Sequence, residues 1–130
     1  SAVNERDYGG YTGMNKWDVQ KTLGEEEFQK LRRGWNYPVP GGETLQTVYE
    51  RVVPFYQNSM LPRLKNGENV LLVAHGNSLR ALTKYIEKLS EEEVGQLEML
   101  LGEIVTYEIN DVGEMVSKRI DQIDVGPNKV

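Results

Sequence analysis

An α/β fold is predicted by three observations. Val70-Leu71-Leu72-Val73-Ala74 is an apolar run of strand length. It leads into His75-Gly76-Asn77-Ser78, after which Leu79, Leu82, Ile86 and Leu89 recur at helical spacing and predict a helix over 78–89. Further on, Ile104 to Ile109 and Met115 to Ile120 flank the turn Asp111-Val112-Gly113-Glu114 and read as a β-hairpin. A strand feeding a helix places its last residues at the crevice where open α/β sheets hold ligands. The helix start adds free backbone N–H groups and a positive dipole end. The chain's only histidine stands there, so the turn is suited to an anion beside an imidazole.

At 130 residues the chain is long enough for one domain with a core of its own. Its charge of −5 argues against a nucleic-acid surface, though not against a local basic pocket. No apolar run reaches the roughly 18 residues of a membrane span. With no cysteine and one histidine, disulfides and the usual zinc sites are not expected. Absence of cysteine agrees with a cytoplasmic location.

Ser1 to Gly13 is rich in turn residues and reads as a loop, with Glu5, Arg6, Asp7 and Tyr8 crowding ionisable groups into it. Asn15 to Leu23 predicts a short helix with Trp17 as its large apolar contact. Thr22-Leu23-Gly24-Glu25 reads as a capping box opening a second helix to Arg33, with Phe28 and Leu31 inward. The adjacent Arg32 and Arg33 either complement that helix's dipole or form a clamp for phosphate or carboxylate. Tyr37-Pro38-Val39-Pro40-Gly41-Gly42 is a rigid connector. The longest helix follows from Glu43-Thr44, its buried face carried by Leu45, Val48, Val52, Phe55, Tyr56, Leu61 and Leu64, with Pro54 expected to kink or break it. Gly67 closes it. Ser90 to Glu93 is a second capping box, opening a short acidic helix to about Met99. Residues 121–130 read as a mobile tail.

Four motifs occur in order: Asn4-Glu5-Arg6-Asp7-Tyr8-Gly9, Arg32-Arg33-Gly34-Trp35-Asn36, Gly42-Glu43-Thr44 and Ala74-His75-Gly76-Asn77-Ser78-Leu79-Arg80. Together they resemble the cofactor-dependent phosphoglycerate mutases of the histidine phosphatase superfamily. The resemblance implies a three-layer fold, a mostly parallel sheet with helices on both faces, here incomplete. It implies interconversion of 2- and 3-phosphoglycerate in glycolysis, with 2,3-bisphosphoglycerate as phosphoryl donor and no metal. By that resemblance Glu5 is the general acid and base that trades a proton with the substrate hydroxyl. Arg6 and Tyr8 flank it as substrate-binding residues. Lys16, Arg32 and Arg33 hold the phosphate and carboxylate. His75 stabilises charge on the transferring phosphoryl oxygens, and Gly76 and Asn77 add donors at the helix start.

Two departures from the family stand out. Asp7 replaces a common histidine and is expected to face solvent, and Leu100-Leu101-Gly102-Glu103 replaces a threonine-glycine turn. A third is larger. The family's nucleophilic histidine lies in an Arg-His-Gly motif that this sequence lacks; His75 matches the second active-site histidine. Residues 1–130 are therefore expected to be the carboxyl-terminal part of a single mutase domain, inactive alone. Without a central strand, exposed edges favour a homo-oligomer or a strand-exchanged dimer. Two other readings remain: a broad-specificity histidine phosphatase, against which Asn77 and the paired arginines argue, and a catalytically dead anion-binding or interaction module.

Overall fold

The computed structural model of the chain describes residues 1–124 and 126. Six α-helices precede one β-hairpin among these residues. Helix α1 (Lys16–Leu23) starts at Asn15, whose side chain accepts the Trp17 N–H. Its buried residue is Val19, whereas Trp17 is 60% exposed beneath the Lys16 ammonium. Residues two apart on a helix do not share a face, so Val19 turns inward only by turning Trp17 out. The expected Thr22–Glu25 capping box does not form. Thr22 lies inside α1 and its hydroxyl donates to the Asp18 carbonyl at 2.9 Å. Gly24, at φ +83°, ends α1 and opens α2 (Glu25–Arg33) with no side-chain cap. A residue with a Cβ adopts that φ only with strain, so glycine is what lets two helices meet here.

Thr44 caps α3 (Leu45–Phe55), accepting the Thr47 N–H at 3.1 Å. Pro54 lies inside α3, one residue before its end. A π-helical turn, Tyr56–Met60, follows and runs into α4 (Leu61–Lys65). Pro54 and Pro62 bracket that turn; neither has an N–H to give an i→i−4 bond. Helix α5 (Gly76–Glu87) begins two residues before its expected start and ends at Lys88, at φ +55°. The second capping box forms as expected, Ser90 and Glu93 exchanging bonds at the start of α6 (Glu91–Gln96).

Two apolar clusters hold these helices. Leu45, Val48, Val52 and Tyr56 of α3 and the π turn pack on Ala81 and Leu82 of α5 and Val94 of α6. Val19, Phe28, Leu31 and Val39 form the second, around α1 and α2.

The sheet among the described residues is two-stranded and antiparallel: β1 (Glu103–Ile109) pairs with β2 (Met115–Gln122). Asp121 and Gln122 thus belong to a strand rather than to a mobile tail; the rest of that expectation falls largely on 125 and 127–130, outside the described residues. The molecule is mixed α and β. The expected central strand is not formed: Val70 to Ala74 carry no ladder bonds. Their exposure still alternates, with Leu71 at 86% and Val73 at 82% and Leu72 half-buried against the α3–α5 core. The chain is patterned for a strand, but a strand also needs a partner, and none lies beside it among the described residues.

Candidate active site

The amino-terminal loop is less solvated than its composition suggests. Arg6 is 3% exposed and staples the two clusters together. Its Nε donates to the Glu43 carbonyl at 2.7 Å and its Nη1 to the Leu31 carbonyl at 3.0 Å, at the ends of the two helices α3 and α2. The guanidinium lies 4.8 Å from the Tyr8 ring. Burial holds its pKa below the usual arginine range. Nη2 is buried and unpartnered. Asp7 faces solvent, as expected, and its carboxylate accepts the Gly9 N–H.

Glu5 lies at the start of α5. Its Oε1 accepts the Arg6 N–H at 2.7 Å and the Asn77 N–H at 3.1 Å. The helix start therefore does bind an anion, but that anion is the protein's own carboxylate. The Asn77 amide, expected to serve substrate, is already engaged. So is the Asn77 side chain, whose Nδ2 donates to the Tyr8 hydroxyl at 3.1 Å while its Oδ1 accepts from Arg80 Nη1 at 3.0 Å. Ser78, fully buried, accepts the His75 N–H, and its hydroxyl lies 3.0 Å from the Val3 carbonyl, binding the loop to the helix.

A cavity of about 350 Å³ opens beside this network, walled by Tyr8, Arg32, Arg33, Gly76, Asn77 and Arg80 and closed by 97–100. Arg80 escaped the sequence reading although it ends the fourth motif. It stands three residues after Asn77, on the same helical face. It is buried, its Nη2 donates to the Val94 carbonyl at 2.8 Å, and its Nε is unpartnered. Burial lowers its pKa, and the nearby Arg33 lowers it further. Arg33 pairs with Glu98, whose carboxyl it holds below the usual range. Arg32 is exposed, its guanidinium 5.8 Å from the Phe28 ring. His75 is exposed and immediately precedes the cavity wall at Gly76. Lys16 does not reach this cavity. With Tyr8 and Arg32 it lines a neighbouring, more apolar one of about 460 Å³.

The arrangement places the Glu5 side chain at a helix start next to a cavity of three guanidinium groups. Three guanidinium groups on one cavity wall are chemistry for an anionic ligand. Among the described residues, no group of three or more His, Asp or Glu side chains is placed to hold a metal ion. No helix is long and apolar enough to cross a membrane.

Residues 1–122 match the family model described as histidine phosphatase superfamily, branch 1. The chain is 45% identical over 119 residues to a 2,3-bisphosphoglycerate-dependent phosphoglycerate mutase of Parvibaculum lavamentivorans, covering 92% of this chain and 57% of the relative. A protein of that name from Rhizobium meliloti is 42% identical, covering 92% and 56%. Another, from Cytophaga hutchinsonii, is 43% identical over 109 residues, covering 84% and 51%. The chain thus spans about half the length of the curated relatives it matches. A match over residues 1–122 that takes in all four motifs means that the chain belongs to branch 1 of the histidine phosphatase superfamily.

Proposed function

We propose that this chain is the carboxyl-terminal part of a 2,3-bisphosphoglycerate-dependent phosphoglycerate mutase that acts in the cytoplasm and interconverts 2- and 3-phosphoglycerate through a phosphohistidine. The observation that carries this reading is the Glu5 carboxylate, held at the start of α5 by the Asn77 N–H beside the cavity of Arg32, Arg33 and Arg80. Glu5 exchanges a proton with the substrate hydroxyl. Arg32 and Arg33 take the carboxylate and phosphate, Arg33 releasing Glu98 as it does so. Tyr8, fixed by Asn77 and by the Arg6 guanidinium, orients the substrate from one wall. Lys16 reaches it from the neighbouring cavity. Gly76 forms the cavity wall between His75 and Asn77 and contributes its backbone at the helix start. His75 lends an N–H to the transferring phosphoryl oxygens, an assisting role that leaves the nucleophile to the part of the relatives this chain does not span.

Bisphosphoglycerate, when bound, supplies the phosphoryl group. The residues present fit so anionic a molecule: three guanidinium groups line the cavity, and the buried Arg80 Nε still lacks an acceptor. In the same reading, Val70 to Ala74 become a strand of a mostly parallel, three-layer sheet completed by the rest of the protein.

A fusion of residues 1–130 to the remainder of the Parvibaculum lavamentivorans relative tests this. It is expected to isomerise 3-phosphoglycerate only when primed with bisphosphoglycerate. Glu5→Gln should then lower kcat by about 10²- to 10⁴-fold. Residues 1–130 alone should acquire no label on His75 from labelled bisphosphoglycerate. Hydrolysis of many phosphomonoesters without isomerisation would establish a phosphatase instead. Anion binding without turnover would establish a binding module.

A further inference from the structure

Resting on the reading of Glu5 as the proton-exchanging group, we infer that Arg51 positions its carboxylate, acting through the backbone on both sides of it. Arg51 sits within α3, 46 residues from Glu5, and only a quarter of its side chain is exposed. Its guanidinium faces two ways. One edge forms a fork on Glu43, Nε to Oε2 at 2.8 Å and Nη2 to Oε1 at 2.9 Å. The other reaches main-chain carbonyls of the amino-terminal loop: Ala2 at 2.6 Å from Nη1, with Asn4 at 3.0 Å and Glu5 at 3.2 Å from Nη2. Glu43 completes the grip beyond Glu5. Its Oε1 accepts the Asp7 N–H at 3.0 Å, and its own N–H donates to the Asp7 carbonyl at 2.7 Å.

The loop is also held at Val3 by Ser78 and at Arg6 by the Leu31 and Glu43 carbonyls, but the carbonyls of Ala2, Asn4 and Glu5 are taken by Arg51. Ser1 to Tyr8 contain no helix or strand, so these carbonyls depend on partners from outside the segment. What Arg51 holds is therefore irregular backbone next to a reacting group, whereas the buried face of α3 consists of Leu45, Val48, Val52 and Val53. Replacing Arg51 leaves that face intact and releases the backbone on either side of the Glu5 side chain. A lysine cannot substitute fully: its ammonium is a point charge and cannot fork on Glu43 while still serving the carbonyls. The position of Glu5 has a direct reporter in the Asn77 N–H, which donates to its carboxylate.

The test follows the Asn77 amide of the intact chain by NMR across the ionisation of Glu5, with Glu5→Gln as the control that assigns the response. In the unmodified chain the Asn77 amide should shift as Glu5 ionises. In Arg51→Met that shift should disappear while the Val48 and Ala81 amides stay in place, and in Arg51→Lys it should be reduced. In the fusion enzyme, Arg51→Met should lower kcat by about 100-fold with KM little changed, the pattern of a displaced catalytic group. A folded Arg51→Met chain with an undiminished Asn77 response would overturn the inference. If that variant does not fold, an undiminished response in Arg51→Lys would overturn it equally. Loss of the response in the Arg51→Met chain, together with an unmodified fusion enzyme that does not turn over, would support the positioning role and count against the mutase reading.

Discussion

Arg6 and Arg80 are both buried, and desolvation lowers the pKa of each. Burying a guanidinium group is costly unless it is hydrogen-bonded, and main-chain carbonyls take part of each: Leu31 and Glu43 accept from Arg6, Arg32 and Val94 from Arg80. Glu43 and Arg51 form a paired site with a measurable acid signature. The Arg51 hydrogen bond holds the Glu43 carboxyl below its ordinary value. A carboxyl whose folded pKa is depressed stabilises the fold above its unfolded value, near 4.5 here, and that contribution is lost as pH falls through the lower folded value. Glu43→Gln should therefore cost about 2 kcal/mol at pH 7. Its deficit should shrink toward zero as pH drops below about 4.5, read from thermal melts of both proteins between pH 7 and 3. Glu43 was visible in the sequence only as part of a motif. Its partner, eight residues on, was not, because nothing in the local pattern of α3 records bonds to residues 2–5. Asn77 and Arg80 lie closer to legibility: a spacing of three on a predicted helix puts them on one face.

Helices were read well where a stripe of apolar residues met a strong boundary. Ser90 caps the helix expected of it, and Asn15 and Thr44, where two other helices are expected to begin, turn out to be their caps. Thr22 failed because a capping pattern is a local offer, and Gly24 at positive φ provided a different helix boundary. The hairpin was also legible, but its attachment was not. β1 shows its inner face to α5 through Tyr107, whose hydroxyl donates to Glu87, while Lys118 of β2 pairs with the same carboxylate at 2.9 Å. Burial and then the Glu87 bond raise the Tyr107 pKa, so the phenol stays protonated and able to donate. Across the ladder Tyr107 stands opposite Lys118, so one register delivers both partners to Glu87. Tyr107→Phe should remove about 1 kcal/mol of hairpin stability. Faster amide exchange of Val105 and Ile120, with α3 unchanged, would be the measurement; equal exchange in both proteins would show that the hairpin is held by the ladder alone.

At the scale of the molecule, apolar surface lies along one side. Val70 to Ala74, Leu79, Ile86 and β1 line an apolar cavity of about 550 Å³, and Leu71 and Val73 are almost fully exposed. Composition marked residues 70–74 as strand material, and their alternating exposure fits an extended chain. It could not mark the pairing, because a strand is a relation between two segments and only one is present among the described residues. Unpaired backbone beside exposed branched side chains is a template for another strand. Leu71 and Val73 point away from the α3–α5 core, while Leu72 packs against it, so the outer pair can be changed without disturbing the helices. The isolated chain should thus self-associate in a concentration-dependent way, seen as a rising mass by light scattering on size-exclusion chromatography. Leu71→Lys with Val73→Lys should return it to a monomer with the same helical circular dichroism, because charge on that face opposes edge pairing without entering the core. A chain that stays monomeric at every concentration would mean that the edge is protected by the hairpin. A double variant that still associates would move the contact to the exposed Val116 and Ile120 of β2.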